Sequence, residues 1–300
     1  MEFLGFIRPD GTVGVRNTVL IISTDVSTNG ICLNIASSVL NAVPVPGWPD
    51  REKYTEYLGD LAQHPNVAGA VILAQSSEGV GGHVAEKLAG LGKPVQLISL
   101  AAPGGVIEAV AHAVRAAMLM VREVSTQRRQ LTLMSRLILG LIYRDQSGTG
   151  DLLVHCIDTI QENHGRVLIF KDAADKKSKI NLCPVIKRVD ALGKVDSQQG
   201  LYELRGSKEP GDVLMAMASL GVQLAVDATG GPFTRYHTVL PVVSITANQD
   251  HYNSYKDNIE LYLSQLDLLS YKAEDYSLLL INEIIATASG KLTKSEALKF

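Results

Sequence analysis

The chain has 300 residues, 46% hydrophobic and 20% charged, with a net charge of -3, the profile of an ordinary globular protein long enough for two domains and a sizeable core. The mild negative charge, 5% aromatic content and lack of any basic cluster beyond Arg128-Arg129 exclude a nucleic-acid surface. No apolar run reaches the roughly 18 residues of a membrane span, residues 1–8 show no secretory leader, and Cys32, Cys156 and Cys183 form no Cys-x-x-Cys pair, so reduced cytoplasmic thiols and no membrane partner are expected.

Residues 5–17 concentrate Arg8, the Asp10-Gly11 turn, Arg16 and Asn17 in a hairpin-like segment whose charges read as an anion-holding lip. Residues 18–24 are continuously apolar and β-branched, as expected of a strand covered on both faces. A polar turn follows, and Asn29 is expected to cap a helix over 30–40. Residues 43–49 hold three prolines and the only Trp and read as a loop. Residues 50–64 form a charged helix stopped by Pro65-Asn66. Strand 68–75, the glycine turn 76–82, helix 83–92, strand 94–100, turn 103–105 and helix 106–124 follow. Strand, turn and helix alternating with helix-sized spacers imply right-handed crossovers and a parallel, doubly wound α/β sheet.

The second half repeats the pattern with strands at 137–142, 166–171, 222–228 and 241–246, and helices at 151–163, 209–220 and 276–289. Residues 172–179 are a solvated charge run, and 187–206 resist assignment. The organisation predicted is two Rossmann-like α/β domains, 1–127 and 128–300, with the site in the crevice between them.

Four glycine turns follow strands or open helices: residues 78–82, 103–105, 148–150 and 229–231. In such sheets ligands bind at the carboxyl ends of strands, where helix N-termini present free N–H groups. A small anionic substrate such as a carboxylate is the reading. No turn gives G-x-G-x-x-G, because Val84 stands where a third glycine belongs, and there is no Walker lysine. No His-Glu-x-x-His or Gly-x-Ser-x-Gly occurs, so metal and nucleophile assignments stay open. Glu78, Asp145, Asp172 and Asp227 lie near strand ends and are hard-metal candidates, though an acid so placed is more often a solvated or capping carboxylate.

Several segments resemble the altronate and galactarate dehydratase family, to which the sulfolactate sulfo-lyase large subunit is also similar. These are residues 5–17, His64-Pro65-Asn66-Val67, Thr229-Gly230-Gly231 with 241–246 and Asn248, and the ending Ala288-Ser289-Gly290-Lys291-Leu292-Thr293-Lys294-Ser295-Glu296. The resemblance runs in order along nearly the whole chain. It implies an α/β carbon–oxygen lyase (hydro-lyase) acting on sugar acids, aided by a divalent metal of the iron type. It also marks departures. Where the family carries cysteines, this chain has Ser27, residues 46–48, Ser76-Ser77-Glu78 and residues 142–147; Lys171-Asp172 replaces a Ser-Glu segment and 259–265 another family stretch. The soft metal ligands are therefore lost as a set.

Two expectations follow: a divergent lyase binding a small hydroxy-carboxylate, or a catalytically silent relative acting as a binding protein or as partner subunit of an active paralogue. Substrate contacts are expected from Arg8, Arg16 and Asn17 as carboxylate grips, from Glu78 with the amides around Gly79, Gly81 and Gly82, and from Thr229, Gly230 and Asn248. For Arg16 and Asn17, a structural role bonding backbone is the competing expectation. The partner expectation is a homodimer or a complex with a paralogous subunit.

Overall fold

Buried β-branched runs alternate with amphipathic helical stretches, and each pair folds as strand and crossover helix into a parallel sheet. The computed structural model describes residues 1–75, 79–101, 103–144, 149–171, 185–190, 195, 198–205, 210–230, 237–264 and 273–298. It divides into two compact units, one of Phe6–Gln130 and one of Met1–Gly5 with Leu131–Phe300.

In the first unit the end of β1 (Glu2–Ile7) pairs antiparallel with β2 (Val13–Gly14), Phe6 opposite Gly14 and Ile7 opposite Val13, which gives the hairpin expected at residues 5–17. Then come β3 (Thr18–Ser23), α1 (Asn29–Ser38), β4 (Ala42–Val45), α2 (Arg51–Gln63), β5 (Val67–Ala74), α3 (Val80–Gly90), β6 (Val95–Ser99) and α4 (Gly105–Val124). The sheet order is β4-β3-β5-β6 with every pair parallel. Val19, Ile21, Val71 and Leu73 of the central strands pack against Cys32 and Ile35 of α1 and Ala113, Ala117 and Met120 of α4.

Three expectations are corrected here. Residues 43–49 are not all loop: β4 pairs with β3, and Pro44 is tolerated because β4 is an edge strand. Asn29 does not cap α1 but opens it, and its side chain brackets Gly47, donating to the carbonyl at 3.0 Å and accepting the N–H at 2.6 Å. Helix α3 starts at Val80, so Gly81 and Gly82 lie in its first turn.

The second unit holds β7 (Gln130–Leu133, from its second residue), which sequence reasoning missed, then β8 (Ile138–Tyr143), α5 (Gly150–Glu162) and β9 (Arg166–Lys171). The unassigned stretch contains two strands, β10 (Val185–Asp190) and β11 (Gly200–Arg205). They are followed by α6 (Pro210–Ser219), β12 (Leu224–Ala228), β13 (Val242–Thr246), α7 (Gln249–Tyr255), β14 (Leu261–Tyr262), α8 (Ala273–Ala288) and α9 (Lys294–Leu298). The order is β10-β11-β9-β8-β12-β13-β14, parallel throughout. Leu168, Tyr202, Leu204, Met217, Val222 and Ala225 fill the core on one face. The charge run 172–179 lies outside the described residues. Both units are doubly wound α/β folds, and among the described residues no helix is long and apolar enough to cross a membrane.

Candidate functional site

A doubly wound sheet has one place where neighbouring strands send their connections in opposite directions, and ligands bind at the carboxyl ends there. In the first unit β3 and β5 are neighbours; β3 leads through α1 to β4 on one side and β5 through α3 to β6 on the other. In the second unit β8 leads through α5 to β9, while its neighbour β12 leads to β13 on the opposite side.

Arg8, Arg16 and Asn17 lie at the other end of the first sheet, just before β3. Arg8 is 4% exposed and spends its donors on the protein: Nε on Pro65 O at 2.7 Å, one terminal nitrogen on Asn17 Oδ1 at 2.8 Å and Gln127 Oε1 at 3.1 Å, the other on Arg16 O at 2.9 Å. Asn17 passes the connection on, donating from Nδ2 to Val124 O at 2.7 Å. Arg16, also buried, donates to Val15 O at 2.9 Å. From the opposite side the buried Asn66 accepts Val15 N–H at 2.7 Å through Oδ1, and its own N–H donates to His64 Nδ1 at 3.1 Å. Gly14 lets this happen, because a Cβ there would sit 2.3 Å from Pro65 O. The hairpin, the His-Pro-Asn turn and the end of α4 are thus joined through backbone carbonyls. These are the contacts of a brace.

Gly79, Gly81 and Gly82 stand beyond the carboxyl end of β5, whose eight residues span roughly 26 Å from the brace at its amino end. Gly79 caps α3 at φ 87°, a left-handed conformation only glycine adopts freely. Ser27 lies at the same carboxyl edge after β3, donating its N–H and hydroxyl to Asp25 Oδ1 at 3.0 and 2.7 Å. Trp48, after β4, stacks on Tyr57 at 4.9 Å. Glu78 lies outside the described residues.

Thr229, Gly230 and Asn248 share the carboxyl edge of the second sheet. The buried Thr229 donates its N–H at 3.0 Å and its hydroxyl at 2.8 Å to Asp227 Oδ1, folding the chain back directly after β12. Gly230 has φ 58°. Asn248 is exposed after β13 and caps α7 by accepting His251 N–H at 2.9 Å. Beside them, Ala228 pairs with Tyr143 at the end of β8, followed by the half-buried Arg144 and, at Gly150, the start of α5. Sequence reasoning passed over Arg144 as a candidate. The available signal was a guanidinium placed directly after an uninterrupted buried strand.

The candidate residues therefore form three groups: a brace at the amino edge of one sheet and a cluster at the carboxyl edge of each sheet. Thiols take no part among the described residues. Cys32 donates to Ile21 O at 3.0 Å, burial pushes its thiol up to about 11, and burial pushes that of Cys156 up to about 12. No three His, Cys, Asp or Glu side chains gather as a metal-binding group among the described residues, and Asp145 and Asp172 lie outside them. The described residues at the family-cysteine positions do not fit a soft-ligand metal.

Fold and edge define the class: a doubly wound α/β protein with glycine turns where a small ligand would approach. The family follows from two matches. Residues 5–125 match the model for the second domain of D-galactarate dehydratase/altronate hydrolase, and residues 172–300 match the D-galactarate/altronate dehydratase C-terminal domain. The chain belongs to the D-galactarate dehydratase/altronate hydrolase family, named for sugar-acid dehydration. No curated protein matches the chain.

The family-like C-terminal segment is also structural. Thr293 and Glu296 form a reciprocal capping box, Thr293 N–H donating to Glu296 Oε2 at 2.9 Å and Glu296 N–H to Thr293 Oγ1 at 3.3 Å. The Lys294 N–H donates to Glu260 Oε1 at 2.7 Å, while Oε2 of the same carboxylate accepts Ser244 N–H at 2.6 Å. Burial pushes the Glu260 carboxyl above its usual range.

Proposed function

We propose that this chain binds a small hydroxy-carboxylate of the sugar-acid class at the carboxyl edge of its seven-stranded sheet. The reading is carried by one observation: β8 and β12 are neighbours, Tyr143 paired with Ala228 at their carboxyl ends, and their connections diverge. The first turn of α5 offers backbone N–H groups and the positive end of the helix to a carboxylate. Arg144 supplies a planar guanidinium suited to bidentate carboxylate pairing. The Asn248 Oδ1 is taken by the α7 cap, which leaves its Nδ2 to meet a sugar hydroxyl. Asp227, held by two donations from Thr229, is the carboxylate this edge offers as a base for an α-proton.

A second reading, a silent relative that binds without turnover, has its own support. The segments that carry the family resemblance at residues 5–17, 64–67 and 289–296 have their described polar groups committed to the scaffold. Among the described residues, the positions where the resemblance expects cysteine follow β3 and β4 and end β8, at the carboxyl edges.

Metal analysis of the purified protein, with binding and turnover assays on galactarate, altronate and sulfolactate, separates the outcomes. Turnover establishes the lyase and ends the silent reading. Binding without turnover establishes the silent relative. No binding of any of the three sinks the proposal.

A further inference from the structure

The two edges of the four-stranded sheet are treated differently. Edge strands expose unpaired backbone groups, and proteins blunt them with proline, charge or bulges. Strand β4 carries Pro44 at one edge. Strand β6 at the other edge, Val-Gln-Leu-Ile-Ser, has none of these devices, and its register against β5 runs unbroken from Val95 to Ser99. Among the described residues no strand pairs with its outer side. Beside it lies a groove of about 350 Å³ between residues 94–96 and α4.

The α4 wall of this groove has an ordered pattern. Arg115, Leu119 and Glu123 recur every four residues, and so share one stripe of the helix. Leu119 is 47% exposed and its neighbour Met118 is 52% exposed. The stripe therefore reads cation, apolar, anion, with Leu119 midway between charges about 12 Å apart by helix rise. A pattern of this kind is complementary to itself when reversed. A two-fold axis at Leu119 sets Arg115 of one copy against Glu123 of the other, twice, around an apolar centre.

We infer that the β6–α4 face is a homodimer interface, with α4 antiparallel to the α4 of a second copy about a two-fold axis at Leu119. The interface is isologous, as closed two-fold dimers require. Arg115 and Glu123 are both exposed, so charge reversal at either leaves the core untouched.

Sedimentation velocity on the full chain tests it. The wild type is expected to be dimeric. Arg115→Glu and Glu123→Arg are each expected to weaken association about tenfold or more, by placing like charges opposite each other twice. Mixing the two variants is expected to restore a dimer. In the mixed pair the introduced glutamate of one copy faces the introduced arginine of the other, and the native Glu123 of the first faces the native Arg115 of the second. A wild type that stays monomeric at every concentration overturns the inference. So does a dimer that both single variants leave intact, or a mixture that fails to associate.

Discussion

Lys93 buries its side-chain nitrogen against two carbonyl oxygens, Ala62 O at 2.8 Å and His64 O at 2.9 Å, just before β6. A neutral amine has two N–H donors, which match two acceptors. Burial, then the nearby Arg8 guanidinium, pushes its pKa down to about 7, against a partial upward pull from Asp10. The unfolded chain holds this proton to about pH 10.4. Between about pH 7 and pH 10 the unfolded state thus binds more protons, and stability rises with pH. Denaturant unfolding of wild type and Lys93→Met across that window should show the wild type gaining on the variant, by up to roughly 1.4 kcal/mol per pH unit. Parallel profiles would contradict the assignment.

The same scale explains why the partners of Arg8 were not visible in the sequence. Two arginines beside a turn read as an anion grip because their charge is visible and their partners are not. Arg8 is satisfied by Pro65 O, 57 positions away in sequence, and by Gln127, 119 away. Asn17 was readable in kind, since turn asparagines commonly bond backbone, but not in target. Nothing local announces the end of α4.

Among elements, legibility followed burial on both faces. Strands β3, β5, β8 and β9 appeared as uninterrupted apolar runs, and their positions were read to within a residue or so. Strand β4 was hidden by prolines that only an edge position permits. Strands β7, β10 and β11 are mixed in composition: Gln-Leu-Thr-Leu is mostly exposed, and Arg188 and Glu203 form an ion pair at 2.8 Å across β10 and β11. A period-two pattern interrupted by exposed charges carries little signal in a single sequence.

The β1–β2 hairpin gives this scale its test. Gly14→Ala forces a Cβ into Pro65 O and should cost roughly 2–3 kcal/mol, as overpacking against backbone does. Gly30→Ala, in α1 with open space around it, should be neutral or stabilising by about 0.5–1 kcal/mol. Urea unfolding of the two variants checks both, and equal losses would contradict the close-approach account.

For the whole molecule, the fold class was legible because alternation of strand and helix leaves few topologies. The grouping of the candidate residues was not. Strand order is needed to know that β8 neighbours β12 and that residues 5–17 lie at the amino edge, and spacing alone does not supply it. The segments that made the family recognisable at residues 5–17 and 289–296 cap, brace and tie. Under the proposed function, binding belongs to the carboxyl edge of the seven-stranded sheet and bracing to residues 5–17.

Thermal unfolding with and without galactarate tests this division most directly, on wild type, Asn17→Ala and Arg144→Ala. Asn17→Ala removes bonds to Arg8 and Val124 O and should lower the Tm of the free protein by several degrees, while keeping the galactarate-induced rise. Arg144→Ala should lose that rise. Loss of the galactarate response in Asn17→Ala at unchanged Tm, with the response intact in Arg144→Ala, would contradict the account.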